Sequence, residues 1–453
     1  MENQENSVLS RLGNWVKHSL LVKLTSIGIL TLLLMIPNSM IDGLVSERQY
    51  RLMNATREVS ASWGAAQTVT GPLLSIPYSE WTLLEGGKKA ESLRTAYFLP
   101  LELNVTGKIN PELRKRGIYD IVLYQTDLLI SGKFEQPDFA ALHITPENIH
   151  WDQAKLSLGI TGMSGIRSSI NLSWSGNEIR LEPGTANSEI LTSGVSKAVP
   201  IGAAAGEHAF SLTLKLKGHE FLKFEPLGKE TKVNLESDWP SPSFEGQFLP
   251  DQREVTPQGF RASWTVLDLN RNYPQQWKEN EYTFSDNSDA QSRQESSFGV
   301  RLIQTVDGYA KTERSSKYAI LVIGLTFLIY FFFETLRKFH IHPFQYLLVG
   351  LALSVFYLLL LSLSEHVGFN LAYFLAAAVT IGLITLYSAG VFKIRRLTLQ
   401  LLLLLTAIYG FIFIVLQLED YALLAGSIGI FVALAAVMFY SRNVDWYNLS
   451  GEK

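Results

Sequence analysis

Glu365 and His366 stand side by side at the end of an apolar run. A carboxylate beside an imidazole can carry a proton near neutral pH. The same two residue types also serve simply to end a membrane helix among lipid headgroups, so the pair leaves both readings open. Asp307, Arg314 and Lys317 fall at spacings of seven and three. On a helix this puts Asp307 and Arg314 on one face and makes Arg314 and Lys317 neighbours. Arg48, Arg51 and Arg57 lie on a second stretch suited to a helix. A clamp with Asp307 facing one of these arginines is one expectation, and a solvated charged face is the other. Ser285-Asp286-Asn287 matches one element of penicillin-binding enzymes, but neither S-x-x-K nor K-T-G accompanies it. His340-Ile341-His342 would align two imidazoles only if extended, and it precedes Pro343, which favours a loop over a metal site. The chain lacks cysteine, which excludes disulfides, thiolate metal sites and cysteine nucleophiles. Hydrolase, nucleotide-binding and zinc-protease signatures are also missing, so no catalytic, cofactor-binding or metal residue is assigned and no cofactor is expected.

The elements that must position these residues are of two kinds. Charged residues make up 18% of the chain, below the roughly 25% of soluble domains. The deficit is local, with only nine charged residues between Tyr318 and Tyr440. A helix crossing a bilayer needs about 20 mostly apolar residues. Six segments qualify, at residues 20–41, 317–336, 344–364, 369–391, 397–417 and 421–440. The alternative, a buried helix of a soluble core, does not suit five such runs in succession with short loops. Residues 37–42 offer no small-residue cleavage site, so the first run reads as an uncleaved anchor. Arg11, Lys17 and Lys23 flank the first span, Arg337 and Lys338 follow the second, Lys393, Arg395 and Arg396 separate the fourth from the fifth, and Arg442 and Lys453 follow the last. The other two short loops carry only Glu365, Glu419 and Asp420. An excess of lysine and arginine marks cytoplasmic loops. Both termini are therefore expected in the cytoplasm, and residues 42–316 on the far side. The net charge of −3 gives no support to a nucleic-acid partner.

The long polar region reads as β-rich. Apolar and polar residues alternate at 101–105, 166–174 and 210–216, with further strand-like runs at 118–130, 155–160, 232–235 and 261–266. Turn residues punctuate them, which predicts an antiparallel sandwich or two stacked sheets. Helices are expected over 43–62 and 300–317, and a polar loop over 279–297. The expected fold is a mixed membrane protein: one N-terminal transmembrane helix within 1–41, a large exported sandwich-like domain at 42–316 with juxtamembrane helices, and a five-helix bundle at 317–453.

At the level of motifs the chain resembles the CreD family of bacterial inner-membrane proteins, also called cell envelope integrity proteins. The residues that carry the resemblance are Gly71-Pro-Leu-Leu-Ser-Ile-Pro-Tyr78, Trp239-Pro-Ser-Pro-Ser-Phe-Glu-Gly-Gln-Phe-Leu-Pro250 and Leu269-Asn-Arg-Asn-Tyr-Pro-Gln275. Then come Gly299-Val-Arg-Leu302, Val306-Asp307-Gly-Tyr309, Arg314-Ser-Ser-Lys317, the run from His342 to Gly350, Ser364-Glu-His366 and Asp445-Trp-Tyr447. Their order spans nearly the whole chain and adds Tyr309 to the candidate residues. The resemblance implies an inner-membrane location, control by an envelope-stress two-component system, and links to envelope integrity, colicin tolerance and β-lactam response. It implies no reaction.

Two function classes follow. One is a non-enzymatic interaction protein whose exported domain binds an envelope protein or a peptidoglycan-related partner, with the bundle as anchor in the lipid bilayer. The other is a transporter or membrane enzyme acting on a lipid-linked substrate. Transporters usually keep ionisable residues near the membrane midplane. The sequence places its charges at span ends, which favours the first class.

Overall fold

The structure is a computed structural model that describes residues 20–83, 89–188, 190–204, 206–279, 296–303, 308–337, 340–418 and 421–442. The chain divides into two compact units, one of Met1–Leu52 with Val306–Lys453 and the other of Met53–Thr305. The division falls within a single 44-residue helix, α1 (Leu20–Trp63), so its early turns belong to the first unit and its last turns to the second.

In the first unit α1 is followed by α2 (Gly308–Lys317), α3 (Ala319–Arg337), α4 (Pro343–Val367), α5 (Phe369–Phe392), α6 (Arg395–Gln417) and α7 (Ala422–Ser441). Six helices among the described residues, all of these except α2, are long and apolar enough to cross a membrane. Apolar surface on these helices faces in two directions. Leu353, Phe356, Tyr357, Tyr373, Leu401 and Tyr409 form a buried core, whereas Leu386, Leu403 and Phe431 stay exposed, as lipid-facing side chains must. Small residues set the helix spacing. Leu34 of α1 fills the space that a side chain at Gly350 of α4 would need. At the start of α4, His342 caps the helix: its Nδ1 accepts from the Phe344 N–H, and the Gln345 side chain accepts from the His342 N–H.

In the second unit, 17 strands among the described residues form two sheets. The first runs β13 (Pro242–Gly246), β17 (Phe298–Leu302), β11 (Phe221–Phe224), β1 (Gln67–Leu83), β5 (Lys155–Ile160), β9 (Gly194–Ala198) and β8 (Glu182–Pro183), with β2 (Lys89–Phe98) paired to β1 and β16 (Gln276–Lys278) paired to β2. The second runs β14 (Gln252–Thr256), β15 (Gly259–Leu267), β12 (Glu230–Ser237), β3 (Glu102–Arg116), β4 (Tyr119–Phe134), β10 (His208–His219), β6 (Asn171–Trp174) and β7 (Asn177–Arg180). Strict alternation in β10 and β12 sends every second side chain inward, so Phe210, Leu212, Leu214, Leu216, Val233 and Leu235 join one core with Trp174, Trp264 and Trp277. Most pairings are antiparallel; β1 with β11 and β3 with β12 are parallel. The two stacked sheets agree with the alternation in the sequence.

Two local expectations change. The helix expected over 300–317 begins only at Gly308, because Phe298, Val300 and Leu302 alternate inward with Arg301 outward and form β17. The run at 166–174 is a strand only from Asn171. Ile166 bridges Leu216 and Leu172 pairs with Leu212, so the five residues between the paired positions on one side face three on the other and must loop out. The tripeptide Ser285-Asp286-Asn287 lies outside the described residues.

Candidate functional site

Glu365 sits two residues before the end of α4, where the unpaired carbonyls give the helix a negative end. A carboxylate is disfavoured there unless donors meet it. Two do. The Tyr309 hydroxyl of α2 donates to Glu365 Oε1 at 3.0 Å, and the Arg48 Nε of α1 stands 3.5 Å from the same oxygen. The Glu365 side chain is 9% exposed and the arginine 38%. Alongside, the Ser316 hydroxyl of α2 donates to Asp42 of α1, and Gln49 of α1 hydrogen-bonds Glu313 of α2. The two juxtamembrane helices are therefore tied at two points, two turns apart on α1 and one turn apart on α2. Lys317, with help from Gln49, holds the Glu313 carboxyl below its ordinary range.

The candidate residues from the sequence separate on this geometry. Tyr309 and Glu365 come together, and the arginine that joins them is Arg48. His366 is exposed and faces away: its Nδ1 lies 3.0 Å from the Ser362 carbonyl of its own helix, so it donates there and does not pair with Glu365. Arg314 and Lys317 are exposed, with Lys317 Nζ 3.0 Å from Glu313. Arg51 pairs with Glu47 at 2.6 Å on its own helix. Asp307, the proposed centre of the clamp, lies outside the described residues.

A second cluster, absent from the sequence reading, repeats the pattern at the other end of the same unit. Glu334 occupies the last turn of α3 and is 4% exposed. Lys23 Nζ of α1 lies 2.8 Å from Glu334 Oε1, the Ile341 N–H donates to that oxygen at 3.2 Å, and the Tyr346 hydroxyl of α4 donates to Oε2 at 3.0 Å. In both places a glutamate at a helix C-terminus is met by a cation of α1 and a tyrosine. The signal was available: an ionisable residue one turn inside a span rarely lacks a partner.

Among the described residues, the second unit holds one serine–histidine contact. Ser79 Oγ lies 2.6 Å from Glu91 Oε1 and 2.8 Å from His150 Nε2. The serine stands between acid and imidazole, whereas nucleophile activation needs the imidazole between serine and acid. The contact ties the β1–β2 hairpin to the turn at His150.

Several recognisable motifs are staples. Arg271 is buried and donates to the carbonyls of Tyr273 and Pro274 and to the Gln275 side chain, while Gln275 Nε2 donates to the carbonyls of Leu99 and Pro100. Arg301 joins Glu220 to Glu245, and Trp239 Nε1 donates to the Ile303 carbonyl.

The family profile described as Inner membrane protein CreD matches residues 19–447. The chain belongs to the CreD family. It is 35% identical over 443 residues to Inner membrane protein CreD of Escherichia coli (strain K12), covering 96% of this chain and 95% of that protein. Membership agrees with the apolar helices in making this a multi-pass inner-membrane protein in contact with the bilayer, with an envelope-related role. Among solved structures, an M1 zinc metallopeptidase from Deinococcus radiodurans matches at 10% identity over 37% of this chain and 39% of that chain, with a TM-score of 0.19. At that score the likeness carries no argument about the CreD-family fold or its chemistry.

Proposed function

We propose that this CreD-family protein supports cell envelope integrity and the envelope-stress response, including colicin tolerance and the response to β-lactams, without catalysing a reaction itself. The β unit stands in the periplasm as an interaction domain, both termini lie in the cytoplasm, and the apolar helices anchor the chain. Lys23 and Arg48 are 25 residues apart on one helix, which is about 37 Å at 1.5 Å per residue. That length brackets a hydrocarbon core of about 30 Å, so each cation reaches one headgroup layer. The lysine and arginine bias of the short loops assigns the Lys23 side to the cytoplasm.

The observation that carries the interaction reading is an open groove of about 730 Å³ across β4, β3, β12, β15 and β14. Lys108, Asp127, Glu236, Arg253, Glu254 and Arg261 line it. The pairs there are loose, with Arg261 3.7 Å from Glu236 and Lys108 3.5 Å from Asp238. Exposed pairs of this kind contribute only about 0–1 kcal/mol, so a polar peptide or glycan can replace them at little cost. The test is rescue of a deletion strain by the full-length chain carrying K108E and R261E. The expected result is loss of envelope rescue with unchanged amounts in the membrane; full rescue contradicts the reading.

The buried Glu334 and half-buried Glu365 favour a second reading, a transporter or membrane enzyme acting on a lipid-linked substrate. Loss of rescue by E334Q and E365Q, with rescue intact in the groove variants, selects it.

A further inference from the structure

A cavity of about 680 Å³ lies between the first turns of α1 and the α3–α4 connection, within the first unit. Its volume falls in the range of ligand sites, roughly 300–1,000 Å³. Its lining is two-sided. Val22, Ile27 and Leu30 supply an apolar wall along α1, while Lys23, Ser26 and His342 stand among the polar groups. Glu334 also lines it, but its charge is met by Lys23, the Ile341 N–H and the Tyr346 hydroxyl.

This arrangement presents donors. An ammonium has three N–H groups; the Glu334 contact uses one and fixes the nitrogen, and the Lys23 side chain remains 29% exposed. His342 Nδ1 accepts from the Phe344 N–H, so the ring proton must sit on Nε2, which makes that nitrogen a donor. Ser26 adds a hydroxyl. Arg337 in the last turn of α3 marks the same end of the bundle as the headgroup level. An acceptor-only group with an apolar tail suits these walls, and basic pockets between membrane helices at the cytoplasmic side are a known setting for phosphate headgroups.

We propose that this cavity binds the phosphate headgroup of an anionic bilayer phospholipid, with Lys23 as its principal contact and His342 as a second donor. Glu334 is the positioning residue that aims Lys23. The proposal stands apart from the interaction role of the β unit, since it concerns a resident lipid of the membrane unit.

The test uses the full-length protein in an uncharged detergent, with retention of phosphatidylglycerol read by native mass spectrometry. Phosphatidylcholine and inorganic phosphate serve as comparison probes. The wild-type protein is expected to retain phosphatidylglycerol over phosphatidylcholine. K23M is expected to weaken retention roughly tenfold, the loss of one charge-assisted hydrogen bond. H342N keeps an effective helix cap, so its melting point should hold while retention falls about threefold. K317M, at an exposed lysine on α2, should match wild type. Equal retention of phosphatidylcholine, wild-type retention by both K23M and H342N, or full displacement by inorganic phosphate at equal concentration overturns the proposal.

Discussion

Glu334 and Glu365 are the same residue in nearly the same setting, yet they are held with different force. Each sits in the last turn of a membrane helix, and each meets a cation of α1 and a tyrosine hydroxyl. At Glu334 the cation is 2.8 Å away and a backbone N–H adds a third donor. At Glu365 the arginine stands at 3.5 Å and is 38% exposed. The contrast makes Lys23–Glu334 the tighter of the two ion pairs and Arg48–Glu365 the looser.

The comparison can be broken in order of expected effect. K23M leaves Glu334 buried without its cation and should cost about 3 kcal/mol, the usual consequence of removing one partner of a buried pair. Thermal unfolding in detergent measures it, and E334Q, which removes the charge itself, should cost less. G350V forces a side chain against Leu34 midway between the two clusters, and overpacking of this kind costs about 1–3 kcal/mol. If it weakens both ends equally, α1 moves as one rod. R48M should cost about 1 kcal/mol, discounted for the exposure of the arginine. K317A should cost no more than about 0.5 kcal/mol, the range of an exposed i,i+4 pair. Glu313 is held below its ordinary value of 4.5 chiefly by Lys317. The contribution of that pair is therefore present above the unfolded carboxylate range and vanishes as pH falls through the folded value. Acid unfolding curves of wild type and K317A should converge at low pH.

Much of this fold was legible because its signals are local. Apolar runs of about 20 residues mark α3 to α7, and the alternation at 210–216 matches the inward Phe210, Leu212, Leu214 and Leu216 of β10. The parallel pairing of β3 with β12 was not legible, since it joins segments more than 100 residues apart through backbone hydrogen bonds that every residue type offers alike. Nor was the partner of Glu365. The sequence offers His366 next door, but successive residues on a helix point about 100° apart, so the neighbour in sequence turns outward while Tyr309 and Arg48 arrive from other helices. Glu334 was hidden for the same reason, its cation lying 311 positions away.

Two double-mutant cycles on the full-length protein in one detergent, Lys23/Glu334 and Arg48/Glu365, test the central claim most directly. The tighter hold at Lys23–Glu334 predicts coupling at both pairs, with the Lys23/Glu334 energy the larger by at least about 1 kcal/mol. Additive effects at Lys23/Glu334, or a larger coupling at Arg48/Glu365, would contradict it.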